Sequence, residues 1–208
     1  MLEILVAIGP LFLLLVVSEL LWRKRLLRGE PARKSLHIII GSYVASWPYF
    51  LSLNTIQLLS LAMLVGVLLS HKFRIFHAIN DVKRHTWGDI FYALGVFIAA
   101  TFATQPWIFA LAVLHMSVAD GMAGLVGSQL GSKSRYKVFG YNKSVAGTGS
   151  FVLASAVMLG IFALVRPGDI PLLLCLVAPF ASAGLENIGM RGTDNVLVPA
   201  FIIACLRF

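Results

Sequence analysis

The sequence predicts an all-α integral membrane protein: one polytopic membrane domain over residues 1–208, a bundle of about seven to eight transmembrane helices. Two observations lead to this prediction. Hydrophobic residues make up 59% of the chain and charged residues only 12%, which is about half the charged fraction of an ordinary soluble domain. The apolar residues also form long runs, and a helix needs about 20 such residues to cross the hydrocarbon layer of a membrane.

Eight apolar segments are predicted, and the last two are short for a complete span. They are Leu2–Trp22, Leu36–Leu53, Thr55–Ser70, Trp87–Ala103, Trp107–Ser128, Ala146–Val165, Pro171–Leu185 and Val196–Leu206. The first run has an acid, Glu3, near its beginning and three basic residues after it, the reverse of a secretory signal peptide. We therefore interpret the first run as a retained helix.

The distribution of basic residues predicts how these segments are oriented. Fifteen of the 17 lysine and arginine residues fall in the loops after the first, third, fifth and seventh segments, and only Arg166 and Arg207 fall elsewhere. By the positive-inside rule, those four loops are cytoplasmic and the N-terminus lies outside. The net charge of +8 is explained by this bias, and no basic domain is present that would bind nucleic acid.

Asp120 is the most informative single residue. It lies roughly eight residues before the end of the fifth segment, at a depth of about 12 Å of helix. An ionisable group inside a membrane is costly and by default marks a functional site. The structural alternative is a carboxylate paired with a lysine or arginine of a neighbouring helix.

The residues after Asp120 have the composition of a metal–nucleotide site. Small residues follow it, including Gly121, Gly127 and Gly131, and then the pair Lys143-Ser144 and Gly147. A carboxylate binds Mg²⁺, a backbone without side chains admits phosphate, and lysine neutralises it. The pattern is not a Walker A loop. A glycine pattern of this spacing is by itself more often a helix-packing face.

Further candidates lie in the other predicted cytoplasmic loops. They are Arg33, Lys34 and His37 at the end of the first inner loop, Arg84 and Asp89 around the start of the fourth segment, and Glu186 and Asp194 near the last inner turn. Topology alone would explain the basic residues. The acids Glu186 and Asp194 are candidates to join Asp120 as metal ligands.

These residues together resemble the polyprenol kinase family, which includes dolichol kinase, phytol kinase and the CTP-dependent diacylglycerol kinase. Four blocks match in order between Arg33 and Pro199. They are Arg33-Lys34-x-x-His37; Arg84-x-x-x-Gly88-Asp89-x-x-Tyr92; Asp120-Gly121-x-Ala123-x-x-x-Gly127-x-x-x-Gly131 with Lys143-Ser144-x-x-Gly147; and Glu186 with Asp194-Asn195-x-x-x-Pro199. The third block is the most specific of the four.

The resemblance implies a CTP-dependent kinase that phosphorylates a lipid alcohol embedded in a prokaryotic cytoplasmic membrane, with Mg²⁺ as cofactor. Asp120, Lys143, Arg33, Lys34 and Asp89 are then the catalytic candidates. The nucleotide-binding candidates are Gly121, Gly127, Gly131, Ser144, Gly147 and Arg84, and the metal ligands are Asp120, Glu186 and Asp194. The general base stays open among Asp89, Asp120 and Asp194. The stretch between Gly131 and Lys143 is more similar to phytol kinase than to dolichol kinase.

Two alternatives of other classes remain at this point. A CTP-dependent cytidylyltransferase that makes a CDP-lipid uses similar residues, but its His-Gly-Gly and Asp-Arg-x-Asp signatures are missing here. A transporter also places acids inside a membrane, but transporters commonly contain internal repeats, and we find no convincing repeat in this chain.

Overall fold

The computed structural model describes residues 2–26, 28–73 and 87–207. In this part of the chain the helices are α1 Leu2–Arg23, α2 Gly29–Ala45, α3 Leu53–Phe73, α4 Gly88–Phe102, α5 Pro106–Leu114, α6 Asp120–Leu130, α7 Val145–Val165, α8 Leu172–Ile188 and α9 Asp194–Leu206. A π-helical turn, His115–Ala119, joins α5 to α6. All eight predicted segments thus coincide largely with helix.

Four of the described helical stretches are long and apolar enough to cross a membrane. They are Leu2–Arg23, Leu53–Phe73, Pro106–Lys133 and Val145–Val165. The fold is therefore that of a helical membrane protein, as the sequence predicts. The number of helices that cross the membrane and the direction in which they cross stay predictions.

The stretch Pro106–Lys133, which we call the central helix, forms the middle of the bundle. Of its most apolar window 72% is buried, against 17% in each of the other three long helices. Its first half is apolar on all sides, and every residue from Trp107 to Val113 is buried. A helix that is hydrophobic all round is stable only when other helices or lipid surround it, so this position follows from its composition.

Helix α2 begins about two turns earlier than the sequence predicts. We expected a span over Leu36–Leu53, but the helix runs over Gly29–Ala45 and is followed by a short 3₁₀ turn at Trp47–Tyr49. The difference arises because the first two turns of α2 carry polar side chains, and an apolar-run criterion does not register them. Arg33 and Lys34 consequently lie on a helix, where we had expected a loop.

A β-hairpin between α6 and α7 is the main element that the sequence analysis missed. Strands β1 Arg135–Val138 and β2 Tyr141–Ser144 pair antiparallel. The connecting turn consists of Phe139 and Gly140, both with positive φ (46° and 85°), as a two-residue hairpin turn requires. The fold is therefore not purely α-helical, and the residues expected in a glycine- and lysine-rich loop have a fixed register.

Candidate active site

One cavity of about 360 Å³ brings together residues from three of the four loops that were predicted to lie on the same membrane face, together with Gly88 at the start of the predicted segment Trp87–Ala103. It is lined by Glu30, Arg33, Lys34, Gly88, Asp120, Ala123, Gly124, Gly127, Ser128, Arg135, Tyr141, Asn142, Lys143, Ser144, Gly147, Glu186, Gly189, Arg191, Gly192, Asp194 and Asn195. Five of these residues are basic and four are acidic. A cavity with this lining suits a polyanionic ligand that arrives with a cation.

An ion pair between α2 and α6 forms part of the cavity lining. Lys34 Nζ lies 2.5 Å from Asp120 Oδ2 and 3.5 Å from the Asp120 carbonyl oxygen. Both residues are buried, with 6% and 4% of their surface exposed. Gly124 provides the space for this contact, because a Cβ there would stand 2.5 Å from Lys34 Cε. The structural alternative for Asp120, a lysine partner on another helix, is therefore present in the fold.

A second lysine–carboxylate pair joins the hairpin to the end of α8. Lys143 Nζ donates to Glu186 Oε1 at 2.5 Å and to the Glu186 carbonyl oxygen at 2.9 Å. The hairpin is also held by Tyr136, whose hydroxyl contacts Thr148 Oγ1 at 2.5 Å and donates to Asn187 Oδ1 at 2.9 Å. Lys143 thus projects into the cavity from a strand whose position two helices determine.

Asp120, Glu186 and Asp194 form a cluster of three carboxylates. One oxygen of each lies within 4.8 Å of the others. Asp194 is the first residue of α9 and lies two residues before the predicted span Val196–Leu206. Burial, together with the negative charge of Asp120, raises the pKa of Asp194 to about 7. Such a cluster needs a positive charge to be stable when all three groups are ionised.

The cluster fits a hard divalent cation such as Mg²⁺, which takes oxygen ligands. Asp194 Oδ1 is buried and has no hydrogen-bond partner in the described part of the chain, and the same is true of Asn195 Oδ1. Buried acceptors without partners are uncommon in folded proteins and call for an explanation such as an ion or a ligand. A cation among these oxygens would supply one.

Two hydrogen bonds attach the loop between α8 and α9, and the first turn of α9, to the start of α4. Trp87 N–H donates to the Arg191 carbonyl at 2.9 Å, and Asn195 Nδ2 donates to the Gly88 carbonyl at 2.8 Å. Gly192 has φ +100°, and a Cβ there would meet Gly88 Cα at 2.4 Å. Only glycine fits this position. The close contact and the two hydrogen bonds place Arg191 and Asp194 at the cavity.

The predicted nucleotide-binding glycines divide into two groups. Gly127, Gly147 and the neighbouring Ser144 line the cavity, whereas Gly121 and Gly131 do not. A Cβ on Gly121 would meet Ile38 of α2 at 2.2 Å, and one on Gly131 would meet Ser144 Oγ at 2.4 Å. These two glycines therefore serve helix packing, and Ser144 also caps α7 by accepting the Gly147 N–H at 3.1 Å.

Two other predicted residues are not part of the cavity lining. Asp89 lies beside His71, whose Nε2 is 2.6 Å from Asp89 Oδ2, and Asp89 Oδ1 accepts a hydrogen bond from the Ile90 N–H at 3.0 Å. The structure thus gives no support for Asp89 as the general base. Arg84 lies outside the described residues.

Several cavity residues were not chosen from the sequence. Arg191 was counted only as a topology-setting charge, Arg135 was noted among the basic residues after Gly131 but not selected, and Glu30, which pairs with Arg33 at 2.6 Å, was not considered. A spacing of three residues between Glu30 and Arg33 is a recognisable helical pair, but it gains meaning only once α2 is known to begin at Gly29. Arg135 could be selected only with the hairpin register.

A known kinase is similar to this chain over most of its length. The chain is 36% identical over 192 residues to a phytol kinase from Synechocystis sp. (strain ATCC 27184 / PCC 6803 / Kazusa), and the match covers 88% of this chain and 81% of that protein. No protein-family model matches the sequence. No solved structure matches it either.

A helical membrane fold with an acidic and basic cavity, together with this relative, defines a kinase with an alcohol acceptor. The enzyme is a lipid kinase that uses a nucleotide as phosphate donor. More particularly, the chain belongs to the polyprenol and phytol kinase family. The cytidylyltransferase and the transporter considered above are thereby set aside.

Proposed function

We propose that this protein is a CTP-dependent, Mg²⁺-requiring kinase of an isoprenoid alcohol of the phytol type. The observation that carries the proposal is the carboxylate cluster of Asp120, Glu186 and Asp194 in a cavity that is also lined by five basic residues. The choice of phytol follows the relative's name. The choice of CTP rests on the family resemblance of the third sequence block.

Asp120, Glu186 and Asp194 would hold Mg²⁺, which would neutralise negative charge on the phosphates of the nucleotide. Lys34 and Lys143 now neutralise two of these carboxylates. Each ammonium group is therefore already positioned within the space that a metal-bound triphosphate needs. We assign Lys143 and Arg33 to the phosphates, and Lys34 to the orientation of Asp120.

Transfer of a phosphoryl group requires mainly positioning and charge stabilisation. The acceptor oxygen forms a bond to the terminal phosphorus while the bond from that phosphorus to the bridging oxygen breaks. The products are a lipid monophosphate, a nucleoside diphosphate and a proton. Arg33, Arg135 and Arg191 are directed to the cavity from three different elements and stabilise the charge on the transferring group and on the leaving diphosphate.

The direct test is phosphate transfer by the purified protein in detergent. CTP, ATP, UTP and GTP are each supplied with Mg²⁺ and with phytol, geranylgeraniol, a long polyprenol or diacylglycerol, and the lipid phosphate is quantified. We expect the fastest transfer with CTP and phytol, with CDP as the second product. Asp120→Asn is the inactive control. Release of pyrophosphate together with a CDP-lipid, or faster transfer to diacylglycerol, would contradict the proposal.

We further propose that the cavity opens to the cytoplasm of a prokaryotic cell. The support is the basic character of the three predicted inner loops that contribute lining residues, combined with the positive-inside rule. Single cysteines introduced into a variant without Cys175 and Cys205 test this orientation. A membrane-impermeant thiol reagent added to intact cells should label a cysteine at Gln105 and spare one at Ser134. The opposite labelling pattern would reverse the orientation.

A further inference from the structure

We propose that Tyr92 and His37 form the site that receives the hydroxyl group of the lipid alcohol. This inference rests on the proposed function and adds to it the location of the acceptor. Neither residue lines the polar cavity. Three observations support the assignment. They are the position of the two side chains relative to the cavity, their contact with each other, and the hydrogen-bonding group that each side chain still has available.

Both residues lie one helical turn farther from the cavity than a residue that lines it. Lys34 lines the cavity, and His37 follows it by three residues on α2. Gly88 lines the cavity, and Tyr92 follows it by four residues on α4. Since a turn advances about 5.4 Å along a helix, the two side chains lie beneath the bottom of the cavity, toward the apolar interior. A lipid alcohol has to bring its hydroxyl group from that interior.

His37 and Tyr92 are in contact, and His37 is also beside Asp120. Their ring centroids are 5.2 Å apart in an edge-on arrangement. His37 Nε2 lies 3.0 Å from the Met116 carbonyl oxygen and 3.4 Å from Asp120 Oδ2. Met116 belongs to the π-helical turn, a feature that often occurs at functional sites. The pair is thus adjacent to the carboxylate that we assign to the metal.

The hydroxyl group of Tyr92 is buried without a partner. Only 7% of the residue is exposed, and its oxygen forms no hydrogen bond within the described part of the chain. Leaving a buried polar group unpaired costs about 1–3 kcal/mol. A ligand that supplies a hydrogen-bond acceptor at this point removes that cost, and the oxygen of an alcohol is such an acceptor.

His37 offers the complementary hydrogen-bonding group, an acceptor. Because its Nε2 faces a carbonyl oxygen, that nitrogen carries the hydrogen, and the neutral ring then presents Nδ1 as an acceptor. Tyr92 can donate and His37 can accept. A hydroxyl group is both an acceptor and a donor, and it is the single polar group of a lipid alcohol. The pair therefore matches the chemistry of the acceptor head, whereas a hydrocarbon chain would leave both capacities unused.

Tyr92→Phe tests the inference, because it removes one oxygen and keeps the ring. We expect the KM for the alcohol to rise about fivefold to tenfold, in line with the loss of one neutral hydrogen bond. The KM for the nucleotide and kcat should stay within a factor of two. His37→Gln keeps a donor near the Nε2 position and should raise the same KM. Tyr43→Phe removes a tyrosine hydroxyl elsewhere in the fold and is the matched control.

A binding measurement separates recognition of the hydroxyl group from simple packing. Thermal stabilisation of the purified protein is titrated with the alcohol and with the hydrocarbon of the same chain that lacks the oxygen. Tyr92→Phe should weaken the response to the alcohol and leave the response to the hydrocarbon unchanged. Equal weakening for both ligands, or no change for either, would overturn the inference.

The two proposals fail in distinguishable ways. An active wild-type enzyme whose KM for the alcohol is the same in Tyr92→Phe overturns the acceptor site and leaves the kinase assignment intact. If wild-type protein phosphorylates no alcohol, the proposed function is wrong. The acceptor site is then judged by the stabilisation measurement, and it is overturned if Tyr92→Phe binds the panel alcohols as the wild type does.

Discussion

The two lysine–carboxylate pairs of the cavity have the same Nζ–O distance of 2.5 Å and similarly buried carboxylates, with Asp120 6% and Glu186 7% exposed, and they differ in the exposure of the lysine. Lys34 and Asp120 join two helices in the interior, and their side chains are 8% and 6% exposed. Lys143 reaches Glu186 from a four-residue strand, and its side chain is 19% exposed. A buried ion pair has to be kept intact for the fold, whereas a partly solvated one can exchange partners at small cost. We infer that the first pair builds the site and the second responds to the substrate.

The largest effect is expected for Asp120→Asn. Transfer should fall about 10³-fold or more, because a charge that stabilises the transition state is lost. Folding should suffer too, since removing one member of a buried pair costs about 3–5 kcal/mol. Activity is measured on the folded fraction, and stability by thermal unfolding in detergent.

A double variant separates the two roles of Asp120. Replacing the ion pair with an uncharged pair, Lys34→Met with Asp120→Asn, should recover most of the lost stability, because no uncompensated charge remains. Activity should not return. If the double variant transfers phosphate at a near-normal rate, Asp120 has only a structural role and the metal assignment is wrong.

Lys143→Ala should reduce activity with a smaller effect on the fold. We expect kcat/KM to fall about 100-fold through the loss of one charged contact to the phosphates, and the unfolding temperature to change little. Lys137→Ala is the matched control, because Lys137 is on the same hairpin, is exposed and does not line the cavity. Equal losses for the two lysines would show that the hairpin acts only through its overall charge.

Two arginines that each pair with a glutamate of their own helix test the same distinction between site and surface, since the Arg23 side chain is 67% exposed and that of Arg33 is 18% exposed. Arg33 binds Glu30 three residues before it, and Arg23 binds Glu19 four residues before it. Only Arg33 lines the cavity. Arg33→Ala should lower kcat/KM about 10- to 100-fold, with Arg33→Lys intermediate because lysine lacks the paired donors of arginine. Arg23→Ala should remain within twofold, and similar mild losses in both would reduce Arg33 to a topology-setting charge.

The sequence was sufficient for the class of fold and for the main acids, for physical reasons. Long apolar runs have few structures available to them in a membrane, and an acid such as Asp120 inside one is conspicuous. Glu186 and Asp194 were found by their position on the same predicted face. Arg135 and Glu30 were missed because their roles depend on a strand register and on a polar helix start. Neither of these has a strong signal in hydropathy.

The glycines show a second limit to what the sequence can predict. Gly121 and Gly131 were expected at the nucleotide, and the structure uses them for close packing against Ile38 and Ser144. A glycine that admits a ligand and a glycine that admits a neighbouring helix have the same sequence pattern. Only the position of the facing element, here α2 in one case and the start of α7 in the other, separates the two uses.

The smallest effect is expected at the docking contact of the hairpin. Tyr136 is not in the cavity lining, and its hydroxyl binds Thr148 and Asn187, which lies next to Glu186. Tyr136→Phe removes these contacts and leaves the residue Lys143 itself unchanged. Since the lost hydrogen bonds are worth about 0.5–1.5 kcal/mol each, we expect the KM for the nucleotide to rise about threefold to tenfold, with the KM for the alcohol unchanged.

Thr148→Val removes the same contact from the side of α7, and it shows whether the effect travels through one network. Residues in one hydrogen-bond network are not additive, so the double variant should be little worse than either single variant. If the hairpin positions Lys143, the double variant should also lose less phosphate-transfer activity than Lys143→Ala does. Each variant is compared with the wild type at saturating nucleotide. If the KM for the alcohol rises and the KM for the nucleotide does not, the hairpin contacts the lipid. The pair Lys143–Glu186 would then not be the one that responds to the nucleotide, which would contradict the assignment made above.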